Sequence, residues 1–259
     1  MAETSTRPAR WIRRFHPAPD APTRLICFPH AGGSASYYFP VSRSLAPDID
    51  VLAVQYPGRQ DRHADAFVDD IHRIAELVTA ELDDELLDRP VALFGHSMGA
   101  TVAFEVALLL QQQGRIPVAL FASGRRAPSR RRDERVHEAD DKAIVAELAK
   151  AGGTDIGLLD DEEVLNMVLP VIRNDYRAAE TYRYRPGARL RCPVVALTGD
   201  NDPYVTLGEA RAWQDHTSAA FDLRVLPGGH FFLAEQAAEV LETISERLGR
   251  APSAPTART

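Results

Sequence analysis

Short apolar runs alternate with stretches of helical periodicity along most of the chain. The runs fall at 25–28, 51–55, 91–94, 118–122, 194–198 and 223–226. They are rich in Val, Leu and Phe, and most are bounded by Pro or Gly, which is the look of strands buried on both faces of a parallel sheet. Between them, apolar residues recur at helical spacing over 68–87, 98–113, 141–150, 161–180, 206–215 and 233–248. Strands alternating with helices predict an α/β fold, a mostly parallel central sheet with helices on both faces. The connection from Gly124 to Cys192 is far longer than one crossover helix and two loops require. A helical lid insertion is therefore predicted over about 125–190. Residues 1–20 and 249–259 are polar and Pro-containing, and are expected to form a flexible N-terminal segment and a disordered tail. That leaves 21–248 as one domain.

Charge and composition narrow the partners. A net charge of −7 argues against nucleic acid, whose binders carry a basic footprint. No window approaches the ~18 uninterrupted apolar residues of a membrane span. Arg7, Arg10, Arg13 and Arg14 are not followed by the apolar stretch of a secretory signal. Cys27 and Cys192 read as buried thiols, since two cysteines make no disulfide framework. A cytoplasmic protein is expected.

The strongest local signal is Gly95-His96-Ser97-Met98-Gly99, directly after one predicted strand and directly before a helix. This is G-x-S-x-G in the strand–turn–helix setting that presents a nucleophilic serine. The turn is so sharp that glycine is needed two residues to either side of Ser97. Such a serine needs a base, and the base an orienting carboxylate, following in the order Ser, acid, His. His230 lies on a glycine-flanked loop after the last strand. Asp200 and Asp202 both follow the strand before it. Asp202 is preferred, because Asp200 lies immediately off the strand and suits a turn or capping bond. The oxyanion hole is expected to use the N–H of Met98 and one from the loop Phe28-Pro29-His30-Ala31-Gly32-Gly33, with Ala31 the choice. His96 reads as structural. So does His30, as a hydrogen-bonded residue, with substrate contact its alternative. His16, His63, His72, His137 and His216 read as solvated or packed. No nucleotide-binding glycine pattern matches the His30–Gly33 loop.

Taken together, the Phe28–Gly33 loop, Tyr56-Pro57-Gly58-Arg59-Gln60-Asp61-Arg62, Gly95–Gly99, Gly199–Pro203 and Pro227–Phe232 resemble the type II thioesterases. These are the free-standing editing enzymes of polyketide and nonribosomal-peptide assembly lines. The resemblance covers about 11–248 and implies the α/β-hydrolase fold. The family's triad maps onto Ser97, Asp202 and His230, and its oxyanion donors onto Ala31 and Met98. It implies hydrolysis of acyl groups from the phosphopantetheine arm of an acyl or peptidyl carrier protein, without metal or cofactor, by a monomer. A generic carboxylesterase or acyltransferase on the same fold would share the triad, and a catalytically silent binding module would have lost a member of it. Carrier proteins are acidic, so Arg125, Arg126, Arg130, Arg131, Arg132 and Arg135 at the start of the lid are a candidate docking surface. With Asp133 and Glu134 inside the cluster, a solvated, charge-balanced face is the alternative.

Overall fold

The computed structural model describes residues 11–152, 162–187 and 189–249. Most of the expected tail, residues 1–10 of the expected N-terminal segment, and 153–161 of the lid insertion lie outside the described residues. In chain order the elements are β1 (Ile12–Arg13), β2 (Thr23–Phe28), a 3-10 turn (Ala35–Tyr38) running into α1 (Phe39–Leu45), β3 (Ile49–Val54), α2 (Ile71–Glu81), β4 (Val91–His96) and α3 (Met98–Gln112). Then come β5 (Ala119–Ser123), α4 (Asp141–Ala151), α5 (Glu162–Thr181), β6 (Val194–Gly199), α6 (Leu207–Arg211), β7 (Phe221–Leu226), α7 (Phe232–Glu235) and α8 (Ala237–Arg247).

The strands form one sheet in the order β1-β3-β2-β4-β5-β6-β7, with β1 antiparallel and the rest parallel. Side chains alternate across it with the period of two that a strand imposes. Ile26, Phe28, Leu52, Val54 and Leu93 enter one core with α2 and α3. Leu25, Cys27, Val51, Ala53 and Phe94 enter the other with α1 and α8. Both cysteines are buried free thiols. Strand order reverses between β2 and β4, which pair directly through Phe28 and Gly95. The crevice beyond the strand ends at such a reversal is where open α/β sheets place their sites. Over it, α4 and α5 of the lid insertion build a small core of their own around Ile144, Leu148, Leu169 and Ile172. Among the described residues no helix is long and apolar enough to cross a membrane.

Three features depart from the sequence reading. Residues 11–20 belong to the folded domain and are not a flexible segment. Trp11 and Ile12 are buried, β1 pairs with β3, and the Trp11 carbonyl accepts the Gln55 N–H at 2.7 Å. A two-residue strand is too short to show a period. Replacing Trp11 with Ala, which also removes the ring 4.4 Å beneath the Arg62 guanidinium, is expected to cost about 3–5 kcal/mol, read as a lower urea midpoint. Second, α1 is absent from the predicted helices, because Pro40 interrupts its pattern. At the first turn of a helix proline is harmless, since no N–H is needed there. Third, β7 is not buried on both faces. As the edge strand it exposes Asp222, Arg224 and Val225.

Candidate active site

Ser97 sits between β4 and α3 with φ 53° and ψ −120°, a left-handed conformation that costs a non-glycine residue energy. Its neighbours explain how the turn closes. A Cβ on Gly95 would lie 2.2 Å from the Gly99 carbonyl oxygen, and one on Gly99 would lie 2.1 Å from that of Phe28. The two glycines thus let the elbow nest against itself and against the loop after β2. The Ser97 N–H is anchored on the Ser123 carbonyl at 2.8 Å. The hydroxyl lies at the N-terminus of a 15-residue helix, where unpaired N–H groups and the helix dipole favour negative charge.

His230 and Asp202 arrive from the ends of β7 and β6. His230 Nδ1 and Asp202 Oδ2 are 3.0 Å apart, and the Asp202 side chain is fully buried. The other oxygen, Oδ1, accepts the Tyr204 N–H at 2.8 Å. The Tyr204 ring stands edge-on to His230 at 4.9 Å. Asp200 does something else: its Oδ1 accepts the Gly228 N–H at 2.9 Å and the Asn201 amide at 2.9 Å, tying the two loops together. Ser97 and His230 line one cavity, although no hydrogen bond joins them in this structure. Catalytic contacts are often loose before substrate binds.

Two further imidazoles surround His230. His96 is fully buried, its Nδ1 3.0 Å from Ser123 Oγ and its ring 5.0 Å from that of His230. Burial, then the neighbouring His230, holds its pKa well below the ordinary value. Its Nε2 is buried with no partner among the described residues. His30 differs from the expected hydrogen-bonded role: its Nδ1 is buried without a partner, and the ring lines the cavity edge-on to Tyr37 and Phe231. Burial above all, then charge on His230, lowers its pKa to about 4. Both are therefore neutral rings at pH 7.

Ala31 and Met98 border the same cavity. In the loop after β2, the Gly32 N–H is taken by Asp175 Oδ2 at 2.8 Å and the Gly33 N–H by the His30 carbonyl at 3.0 Å. Among the described residues neither the Ala31 N–H nor the His30 N–H has such a partner. The cavity holds about 380 Å³, and its far wall is lid, including Leu148, Val168, Ile172 and Tyr176. Among the described residues no group of three or more His, Cys, Asp or Glu is arranged to hold a metal ion.

Sequence reasoning missed Asp175, a nearly fully buried carboxylate of α5 paired with Arg59. A signal existed. Asp175 falls on the helix face that buries Leu169, Ile172 and Ala178, and a lone acid on an apolar face requires a partner. The arginine cluster is largely balanced. Arg126 pairs with Glu134, Arg132 with Glu209 at 2.6 Å, and Arg125 donates to Thr101 and the Ala179 carbonyl. Arg130 and Arg131 are more than half exposed, with acids no nearer than 3.8 Å.

A model of the thioesterase domain matches residues 23–248. The thioesterase PikA5 of Streptomyces venezuelae is 51% identical over 249 residues, covering 96% of this chain and 89% of that protein. The solved type II thioesterase BorB, from the borrelidin biosynthetic cluster, aligns with a TM-score of 0.86 at 53% identity, over 92% of this chain and 97% of that one. RedJ, a thioesterase of the prodiginine pathway in Streptomyces coelicolor, aligns at 0.83 and 37% identity, over 88% and 86%.

Proposed function

The chain belongs to the thioesterase family and is a thioester hydrolase, and from that premise we propose that Ser97, His230 and Asp202 are its catalytic triad and the N–H groups of Ala31 and Met98 its oxyanion hole. BorB is a type II thioesterase of a biosynthetic cluster and RedJ a thioesterase of a biosynthetic pathway, and by this likeness the role is editing in polyketide or nonribosomal-peptide assembly. The proposed substrate is a stalled or aberrant acyl group on the phosphopantetheine arm of a carrier protein. One observation carries the reading. An elbow serine, a histidine held by a buried aspartate and the Ala31 loop border a single lid-covered cavity.

In this mechanism Ser97 Oγ attacks the thioester carbonyl while His230 Nε2 takes its proton. The carbonyl oxygen becomes an oxyanion facing the Ala31 and Met98 N–H groups. The C–S bond then breaks, and the thiol leaves with the proton returned by His230. A thiol of pKa about 8.5 needs less help than an alcohol would. Water enters, His230 removes its proton, and the acyl-enzyme is hydrolysed to the carboxylic acid and free Ser97. Asp202 holds His230 in the tautomer with the proton on Nδ1 and stabilises the imidazolium. The lid cavity receives the acyl chain.

The test is turnover on a panel of acyl-carrier proteins against p-nitrophenyl oxoesters. Preference for the carrier-bound thioester is expected, and preference for the oxoester would point to a generic esterase. For docking, Arg130 and Arg131 are adjacent exposed cations of the cluster, alongside exposed Arg135, with Arg132 committed to Glu209. Replacing both with Ala is expected to raise KM for an acyl-carrier protein several-fold while leaving a small acyl thioester unaffected. Added salt is expected to mimic the mutation, since exposed charges are screened within about 10 Å at 0.1 M. Equal effects on both substrates would mean the lid itself is damaged.

A further inference from the structure

The loop that supplies the Ala31 N–H is held just after that residue by a buried ion pair. Arg59 donates from Nη1 to Asp175 Oδ2 at 2.6 Å and from Nη2 to Asp175 Oδ1 at 2.8 Å. Both side chains are almost wholly buried. The same two residues hold the backbone immediately C-terminal to Ala31. Asp175 Oδ2 accepts the Gly32 N–H at 2.8 Å, and Arg59 Nη1 also donates to the Gly33 carbonyl at 3.0 Å. Nearby, the Tyr56 hydroxyl donates to the Pro29 carbonyl at 3.2 Å, and its ring lies 5.3 Å from the Arg59 guanidinium. The turn that delivers Arg59 needs its glycine. Gly58 has φ 82°, and a Cβ there would lie 2.0 Å from the Phe67 ring.

The pair also joins two separate parts of the site. Arg59 belongs to the loop after β3, whereas Asp175 belongs to α5 of the lid. Helix α5 approaches closely as well: a Cβ on Gly32 would lie 3.0 Å from Ile172 Cγ1. Desolvating two charges is expensive, and an apolar pair of similar volume would fill the space with no such cost. What an apolar pair could not do is accept the Gly32 N–H and donate to the Gly33 carbonyl, fixing the turn that immediately follows the Ala31 N–H.

We propose that Arg59 and Asp175 are positioning residues that aim the Ala31 N–H at the oxyanion and tie its placement to the seating of lid helix α5. The inference rests on the thioesterase mechanism above for the identity of the oxyanion donor. It is tested with Asp175→Asn, which keeps the shape but not the charge, and with Arg59→Met combined with Asp175→Leu, which removes both charges together. Folding of each is checked by circular dichroism and thermal melting.

Both variants are expected to lose about 10²-fold in kcat, the size of a lost oxyanion donor. KM should stay within a factor of about two, as for an interaction made only in the transition state. Affinity for an acyl-pantetheine trifluoromethyl ketone, whose serine adduct places an oxyanion in the hole, should fall in parallel with kcat. Affinity for the corresponding thioether, which has no carbonyl, should hold. A folded variant with unchanged kcat overturns the proposal. So does equal loss of ketone and thioether affinity, or failure of both variants to fold, each of which makes the pair merely structural. If the wild-type enzyme hydrolyses p-nitrophenyl butyrate but not acyl-pantetheine, the thioester assignment fails by itself. The variants are then read on the oxoester with a butyl trifluoromethyl ketone.

Discussion

Ser97→Ala is expected to abolish acyl-thioester hydrolysis, lowering kcat by roughly 10⁴ or more, and to remove covalent labelling by a fluorophosphonate. The reason is positional as well as chemical. The elbow places one hydroxyl at the N-terminus of α3 and at the wall of the cavity that His230 also lines. Stability should change little. Alanine at φ 53° is about as strained as serine, and the Ser97 hydroxyl holds no hydrogen bond among the described residues. Residual rate above that of the uncatalysed reaction is expected from binding and the oxyanion donors alone. A folded variant that is still labelled, or that retains the wild-type rate, would place the nucleophile elsewhere.

Asp202→Asn is expected to cost about as much, near 10⁴ in kcat, because of where its amide must point. Oδ1 accepts the Tyr204 N–H, so the carbonyl oxygen of the substituted side chain is drawn to that position. The NH₂ group then faces His230 Nδ1 and donates to it. A ring that accepts at Nδ1 carries its proton on Nε2, the atom that must receive the serine proton. Base catalysis is blocked with the geometry intact. Asp200→Asn retains an oxygen to accept the Gly228 N–H and should cost less than about tenfold. Steady-state kinetics on one acyl-pantetheine substrate rank the two. The reverse ranking would move the acid to Asp200 and leave the serine and histidine assignments standing.

Much of the architecture was legible in the sequence because it depends on local chemistry. Buried parallel strands need continuous apolar runs, so β2 to β6 announced themselves, and the short run 223–226 marked the position of β7. The elbow needs glycine at 95 and 99 for steric reasons that five residues suffice to show. Asp200 and Asp202 were ranked on their distance from the strand end; in the structure Asp202 lies against His230, and Asp200 makes the bonds of a turn residue. Two-residue β1 and the proline-bearing α1 escaped for want of a clear period, whereas the Phe-Asp-Leu-Arg alternation of β7 carried the signal of an edge strand with one exposed face.

The placement of Arg59 against Asp175 escaped for a different reason. The residues lie 116 positions apart, and no local pattern states which buried acid meets which buried base. The sequence by itself determined the layered fold, the elbow and the order of candidate chemical groups, because these follow from strand and helix periodicity and from steric limits at single residues. Only the tertiary structure decided which loop N–H groups are taken up by Asp175 and the His30 carbonyl, which arginines are already neutralised by acids, and how the lid is tied to the loop beneath it. Those outcomes depend on desolvated charges finding partners across the chain, and burial makes such pairing obligatory without encoding the partner nearby.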